Sequence, residues 1–195
     1  MATATNLPSS QKILRLHLDT EFTDFAKADM ISIGLAASTD LTFYAENLDF
    51  DQSLSSVWVI QNIYPLLDHV KYGMKRSTLV ARLWEWLDEL PSEKFAVVVD
   101  YPTDWLLFKA HGLADHPKFS HVEFIFDNIS RFARQSLAEG MALDEVTAVY
   151  QRGVETFQKA LEDYFSDPAV VRHHALHDAI GNMKAYTKLT IDYGI

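Results

Sequence analysis

The sequence predicts an α/β domain: a mixed, five-stranded sheet flanked by helices. Three observations point there. The stretch KILRLHLDTE, residues 12–21, alternates apolar and polar positions as a half-covered strand does. Two further apolar runs follow it at turn-length intervals. Beyond residue 76, strand-length apolar runs alternate with stretches of helical period, the order expected of helices packed on a sheet.

In the first strand Leu14, Leu16 and Leu18 share one face, and Arg15, His17, Asp19 and Glu21 share the other. ADMISIGLAAS and LTFYAEN are the second and third strands, separated by a turn at Ser38-Thr39-Asp40. Their short links predict an antiparallel meander. Residues 51–75 read as loop with a short helix, because Pro65 interrupts VWVIQNIYPLL. TLVARLWEWLDEL is a helix with Leu79, Leu83, Trp86, Leu87 and Leu90 on one face. Ser77 or Thr78 is its expected cap, and Pro91 its stop. FAVVV is a strand covered on both faces. Thr103 is placed to cap the helix DWLLFKAHG, which Gly112 ends. HVEFIFD reads as a fifth strand. Residues 128–165 are helical with a break at Glu139-Gly140, and HHALHDAIGNMKAYTKLT is the last helix. The expected organisation is a flexible lead-in over residues 1–11 and one domain over 12–195.

The 195 residues are 48% hydrophobic, enough for a core. No apolar run reaches membrane-spanning length, and MATATNLPSSQK lacks the pattern of a secretory signal. The chain has no cysteine, which excludes disulfides and thiolate metal sites and suits the cytoplasm. A metal site must then use carboxylates and imidazoles, which favour hard ions such as Mg²⁺ or Mn²⁺. The net charge of −10 argues against coating a long polyanion, while leaving room to grip one chain end.

Three segments carry candidate chemistry. Asp19 and Glu21 project the same way from the end of the first strand, where ionised acids are costly to desolvate and repel each other. They are either solvated residues or half of a cation site. In DYPTDWLLF, Asp104 opens a helix, where the dipole alone favours an acid, and Asp100 is a turn former. In HHALHDA, His173 precedes Asp178 by five positions, with His174 and His177 close by. These are read equally as surface or capping residues. No His-Glu-x-x-His pattern supports zinc. Each segment alone favours its bland reading. Together they place acids and a histidine where one end of a sheet could gather them.

LDTEF, PTDWLL and HHALHDA resemble the three motifs of the DEDD-type 3′–5′ exonucleases, in the subgroup whose last motif carries a histidine. The resemblance spans residues 12–190, and LDTEFTDF with ISIGLA and FYAEN is most similar to a bacterial and phage branch of exoribonucleases. It implies an RNase H-like fold and two Mg²⁺ or Mn²⁺ ions held by Asp19, Glu21, Asp104 and Asp178. Asp100 is the alternative to Asp104. His173 is then the general base, and Thr20, Phe22 and His177 contact substrate. The implied partner is a single-stranded RNA 3′ end, cut to nucleoside 5′-monophosphates. DNA is the alternative substrate, and a non-catalytic nucleic-acid-binding scaffold the alternative role. A homodimer is the expected assembly. Trp58 and Trp105 are expected in the core, and Lys75, Arg76 and Arg172 are candidate phosphate contacts.

Overall fold

The structure, a computed structural model, describes residues 13–194. The expected flexible lead-in, Lys12 of the first strand run, and Ile195 lie outside the described residues. One six-stranded sheet runs through the molecule. Its strands are β1 (Leu14–Phe22), β2 (Met30–Ala36), β3 (Thr42–Asn47), β4 (Gly73–Met74), β5 (Phe95–Val99) and β6 (Phe119–Phe124), in the order β4-β3-β2-β1-β5-β6. The expected meander is there: β1–β2 and β2–β3 are antiparallel. β5 then returns parallel to β1, and β6 parallel to β5. The sheet thus has one strand more than the five expected. β4 is two residues long, too short for any periodic signal, and it pairs with Glu46 and Asn47 at the edge.

Seven helices surround the sheet among the described residues: α1 (Val57–Asn62), α2 (His69–Tyr72), α3 (Arg76–Glu89), α4 (Pro102–Ala110), α5 (Ile125–Ala138), α6 (Leu143–Phe165) and α7 (Ala175–Tyr193). On one face, Leu79, Leu83 and Leu87 of α3 and Phe108 of α4 pack on Leu16, Leu18, Leu35, Val97 and Val99. On the other, Val98 meets Ile125 and Ile129 of α5, Phe157 of α6, and Ala185, Tyr186 and Leu189 of α7. FAVVV is buried along its whole length, as a central parallel strand must be. The polar face of β1 is covered too: His17 is 3% exposed beneath Tyr186, their ring centroids 5.4 Å apart.

Several boundaries differ from expectation. The segment 51–75 holds two short α-helices, two 3₁₀ turns (Gln52–Leu54 and Tyr64–Leu66) and β4 rather than one helix in a loop. The fifth strand run ends at Phe124, and the IFD that follows opens α5. An apolar run has no period with which to separate strand from helix. Neither Ser77 nor Thr78 caps α3; the cap position is Lys75, with no side-chain bond. Likewise α4 starts on Pro102, whose fixed φ suits the first helical position, so Thr103 lies inside the helix. The break at Glu139-Gly140 is present, with Gly140 at φ 97°. Among the described residues no helix is long and apolar enough to cross a membrane.

The close seat of α7 on the sheet and on α6 comes from two glycines, one for each contact. A Cβ on Gly34 of β2 would lie 2.3 Å from the Ala175 carbonyl oxygen. A Cβ on Gly181 would come within 3.0–3.2 Å of Tyr164, Phe165 and Leu161 of α6. The helix is thereby held against β2 on one side and against α6 on the other.

Candidate active site

β1 and β5 run parallel with His17 opposite Val98, so both end at the same edge of the sheet. Carboxyl ends of parallel strands are where open α/β sheets present binding groups. Asp19 and Glu21 project there from β1. Asp100 follows the last residue of β5, and Asp104 sits in the first turn of α4. α7 brings its first turn to the same place, because Gly34, the β2 partner of Asp19, admits the Ala175 backbone. That contact sets Asp178 against β1.

One oxygen each from Asp19, Glu21 and Asp178 lie within 4.8 Å of one another, as do one oxygen each from Asp19, Asp100 and Asp104. Asp19 belongs to both groups. All five acids line a cavity of about 590 Å³ together with Thr20, Phe22, Phe25, Trp58, Tyr101, Arg172, His173 and Asn182. The acids and the histidine suggested by the three motifs thus converge, and both candidates of the second motif are present.

The electrostatics are those of acids crowded together and shielded from water. Burial first, then the neighbouring Asp104, Asp178, Glu21 and Asp100, hold the Asp19 carboxyl well above the usual carboxylate range. Burial and the charges of Asp178 and Asp104 push Glu21 up to about 8. Burial raises Asp104 to about 7, against the opposing pull of Thr20, whose amide and hydroxyl both donate to Asp104 Oδ1 at 3.0 and 2.6 Å. Asp178 also rises to about 7 through burial, opposed by hydrogen bonds from the backbone amides of His173 and His174. Arg172 is the sole lysine or arginine among the described lining residues. Hard oxygen donors crowded this closely fit divalent ions such as Mg²⁺ or Mn²⁺, whose charge would reverse these upward shifts.

His173 occupies the cavity wall in a left-handed conformation, φ 63°. It is the sole non-glycine residue with positive φ among those described. Its amide bonds to Asp178 and its ring meets Trp58 edge-on at 5.0 Å. Burial, with Arg172 adding to it, lowers its pKa, so the imidazole is neutral at pH 7 and free to accept a proton. His174 and His177 are placed otherwise. His174 is sandwiched between the rings of Tyr44 and His177, and burial pushes it down to about 4. His177, expected to touch substrate, does not line the cavity. Its Nδ1 accepts the Val171 amide proton at 2.9 Å, which braces the loop that carries His173. A spacing along a helix cannot tell which side of that helix a preceding loop will cover.

The rim is aromatic. Thr23 Oγ1 donates to the Lys27 carbonyl and accepts from the Asp29 amide, and this tie closes the loop that presents Phe25. Phe25 is 73% exposed and packs on both Phe22 and Tyr101. Trp58, expected in the core, is instead 50% exposed on α1, which Ser56 caps by accepting from the Val59 amide. Trp105 does pack on the core, stacked on Phe108. Arg76 pairs with Asp29, Lys75 precedes α3, and Arg172 alone of the three cation candidates lines the cavity. Sequence reasoning passed over Phe25, Tyr101, Phe165 and Asn182. Asn182 alone carried a signal, four residues beyond Asp178 on the same helix face.

Sheet order, register and helices on both faces define an RNase H-like α/β fold. Among solved structures, the crystal structure of cell-death related nuclease 4 (CRN-4) matches with a TM-score of 0.51 and 14% identity. The match covers 92% of this chain and 64% of that one, so the chain spans about two thirds of that nuclease. At this identity the likeness speaks for the fold. No protein-family model matches the chain, and no curated protein matches it significantly in sequence.

Proposed function

We propose that the protein is a metal-dependent 3′–5′ exoribonuclease that releases nucleoside 5′-monophosphates from single-stranded RNA ends. The observation that carries this reading is the convergence of Asp19, Glu21, Asp104 and Asp178 with His173 in one cavity. The fold it shares with a nuclease supports it. Asp19, Glu21, Asp104 and Asp178 would hold two Mg²⁺ or Mn²⁺ ions, with Asp19 common to both. Such a pair of ions stabilises charge on the attacking and leaving oxygens of a phosphodiester.

The chain's own groups divide the remaining work. His173 takes a proton from the attacking water at an imidazole nitrogen, since it is neutral at pH 7. Asp178 fixes the backbone that positions that ring. Thr20 aims Asp104 through two hydrogen bonds. Phe22, Phe25, Tyr101 and Trp58, all lining the cavity, offer faces on which the terminal bases stack. Arg172 meets a phosphate. We place the enzyme in the cytoplasm, as a homodimer.

Preference for RNA rests on the branch that LDTEFTDF, ISIGLA and FYAEN resemble; the second reading is the same catalyst acting on DNA. Matched 5′-labelled RNA and DNA strands incubated with Mn²⁺ test both. Stepwise shortening of RNA with nucleoside 5′-monophosphate as product is expected. Shortening of DNA alone transfers the assignment to the second reading, and intact 3′ ends on both strands leave a binding scaffold.

A further inference from the structure

We infer that Asp100 is a fifth carboxylate ligand of the cation site, acting beside Asp104 rather than in its place, and that Asn182 holds it there. The inference rests on the metal-dependent reading above. Because β5 is parallel to β1, Asp100 emerges beside Asp19 at the shared strand ends. An oxygen of Asp100 lies within 4.8 Å of oxygens from both Asp19 and Asp104.

Two observations separate Asp100 from an acid that merely ends a strand. First, one of its oxygens is bare. The Asn182 side chain and the backbone amides of Asp100 and Tyr101 draw the carboxyl toward its charged form. Oδ1, however, is buried with no hydrogen-bond partner among the described residues, in an acid that lines the cavity wall. Buried acceptors are rarely left so. Second, no cation among the described residues supplies the missing partner. The charges felt among Asp19, Asp104 and Asp178 include Asp100 itself as a repulsive neighbour, and Arg172 acts on Asp178 and His173 but not on Asp100. A divalent ion is the chemistry that satisfies an anionic oxygen placed among other anionic oxygens. Asn182 completes the arrangement. It is 4% exposed and one helical turn beyond Asp178, so a single face of α7 provides one acid and the amide that orients another.

Calorimetric titration of the metal-free full chain with Mn²⁺, with bound ions counted by electron paramagnetic resonance, tests this. Wild type binds two ions. Asp100→Asn keeps the shape and one acceptor oxygen but loses the charge, and is expected to weaken one of the two sites by about 10-fold or more. Asn182→Ala weakens the same site by a smaller factor. Melting curves without metal establish that each variant is folded. Two ions bound by Asp100→Asn at wild-type affinity overturn the inference while leaving the metal-dependent reading intact. A wild type that binds no Mn²⁺ overturns both. If Asp100→Asn does not fold, Asn182→Ala decides, and unchanged affinity in it refutes the role of Asp100.

Discussion

His173 has a backbone that disfavours it. A left-handed φ of 63° costs a non-glycine residue about 1–2 kcal/mol, and asparagine tolerates it better. What holds His173 there is the pair of backbone bonds to Asp178 and the Trp58 ring. His173→Asn therefore separates chemistry from folding. Turnover should fall by about 10²–10⁴-fold, the usual worth of a general base, while the melting temperature stays level or rises. A parallel loss of stability in thermal melts would assign His173 a structural role. Glu21 carries a second residue-scale test. Its pKa is raised from 4.5 to about 8, so the folded chain binds the proton more tightly than the unfolded chain. Metal-free stability from this group is full below the unfolded value and is lost as pH rises through about 8. Metal-free melting temperature should accordingly fall between about pH 5 and pH 8, and Glu21→Gln should flatten that slope. Equal slopes in both proteins count against the crowded-acid picture. Asp19 and Glu21 were legible as a same-face pair from strand alternation, and they and Asp178 as candidate ligands only through the resemblance of LDTEF and HHALHDA to the exonuclease motifs. Asp100 was legible only as a rival to Asp104, since a sequence does not reveal that parallel register sets two successive acids in one site.

At the scale of elements, Gly34 governs where α7 sits. Gly34→Ala forces a Cβ against the Ala175 backbone, an overpacking that costs about 1–3 kcal/mol. Since Gly34 pairs with Asp19, the displaced helix carries Asp178 and the His173 loop away from β1. Melting temperature and Mn²⁺ affinity should drop together; an affinity that survives the destabilisation would mean the first turn of α7 does not set the acid spacing. The sequence could not foretell this, because a glycine in a strand signals a close approach without naming what approaches. The β1 to β3 meander and α3 were legible from clean periods. The β6–α5 junction was not, because EFIFD is apolar without alternation. The α5–α6 segment had no assigned role in the sequence, and its packing supplies one: Leu161 and Phe165 of α6 line the cavity while α6 backs α7 at Gly181.

For the whole molecule, charge decides how substrate is held. The chain carries −10, and Arg172 alone lines the cavity as a fixed cation, facing an aromatic rim. On the proposed reading, binding would depend on stacking and bound ions more than on phosphate neutralisation. The logarithm of kcat/KM for a single strand should fall against the logarithm of salt with a slope of about −1 to −2, at roughly −0.7 per phosphate contact. A slope several times steeper, measured between low and physiological ionic strength, would require more cations than the single arginine among the described lining residues.

The groups gathered at the strand ends are far apart along the chain, at residues 19–21, 100–104 and 173–178. During translation the first of them leaves the ribosome long before α7 is made. Until that helix docks beside Gly34 the set is incomplete, so on the reading proposed above a nascent polypeptide would lack the groups with which to attack the transcript being read.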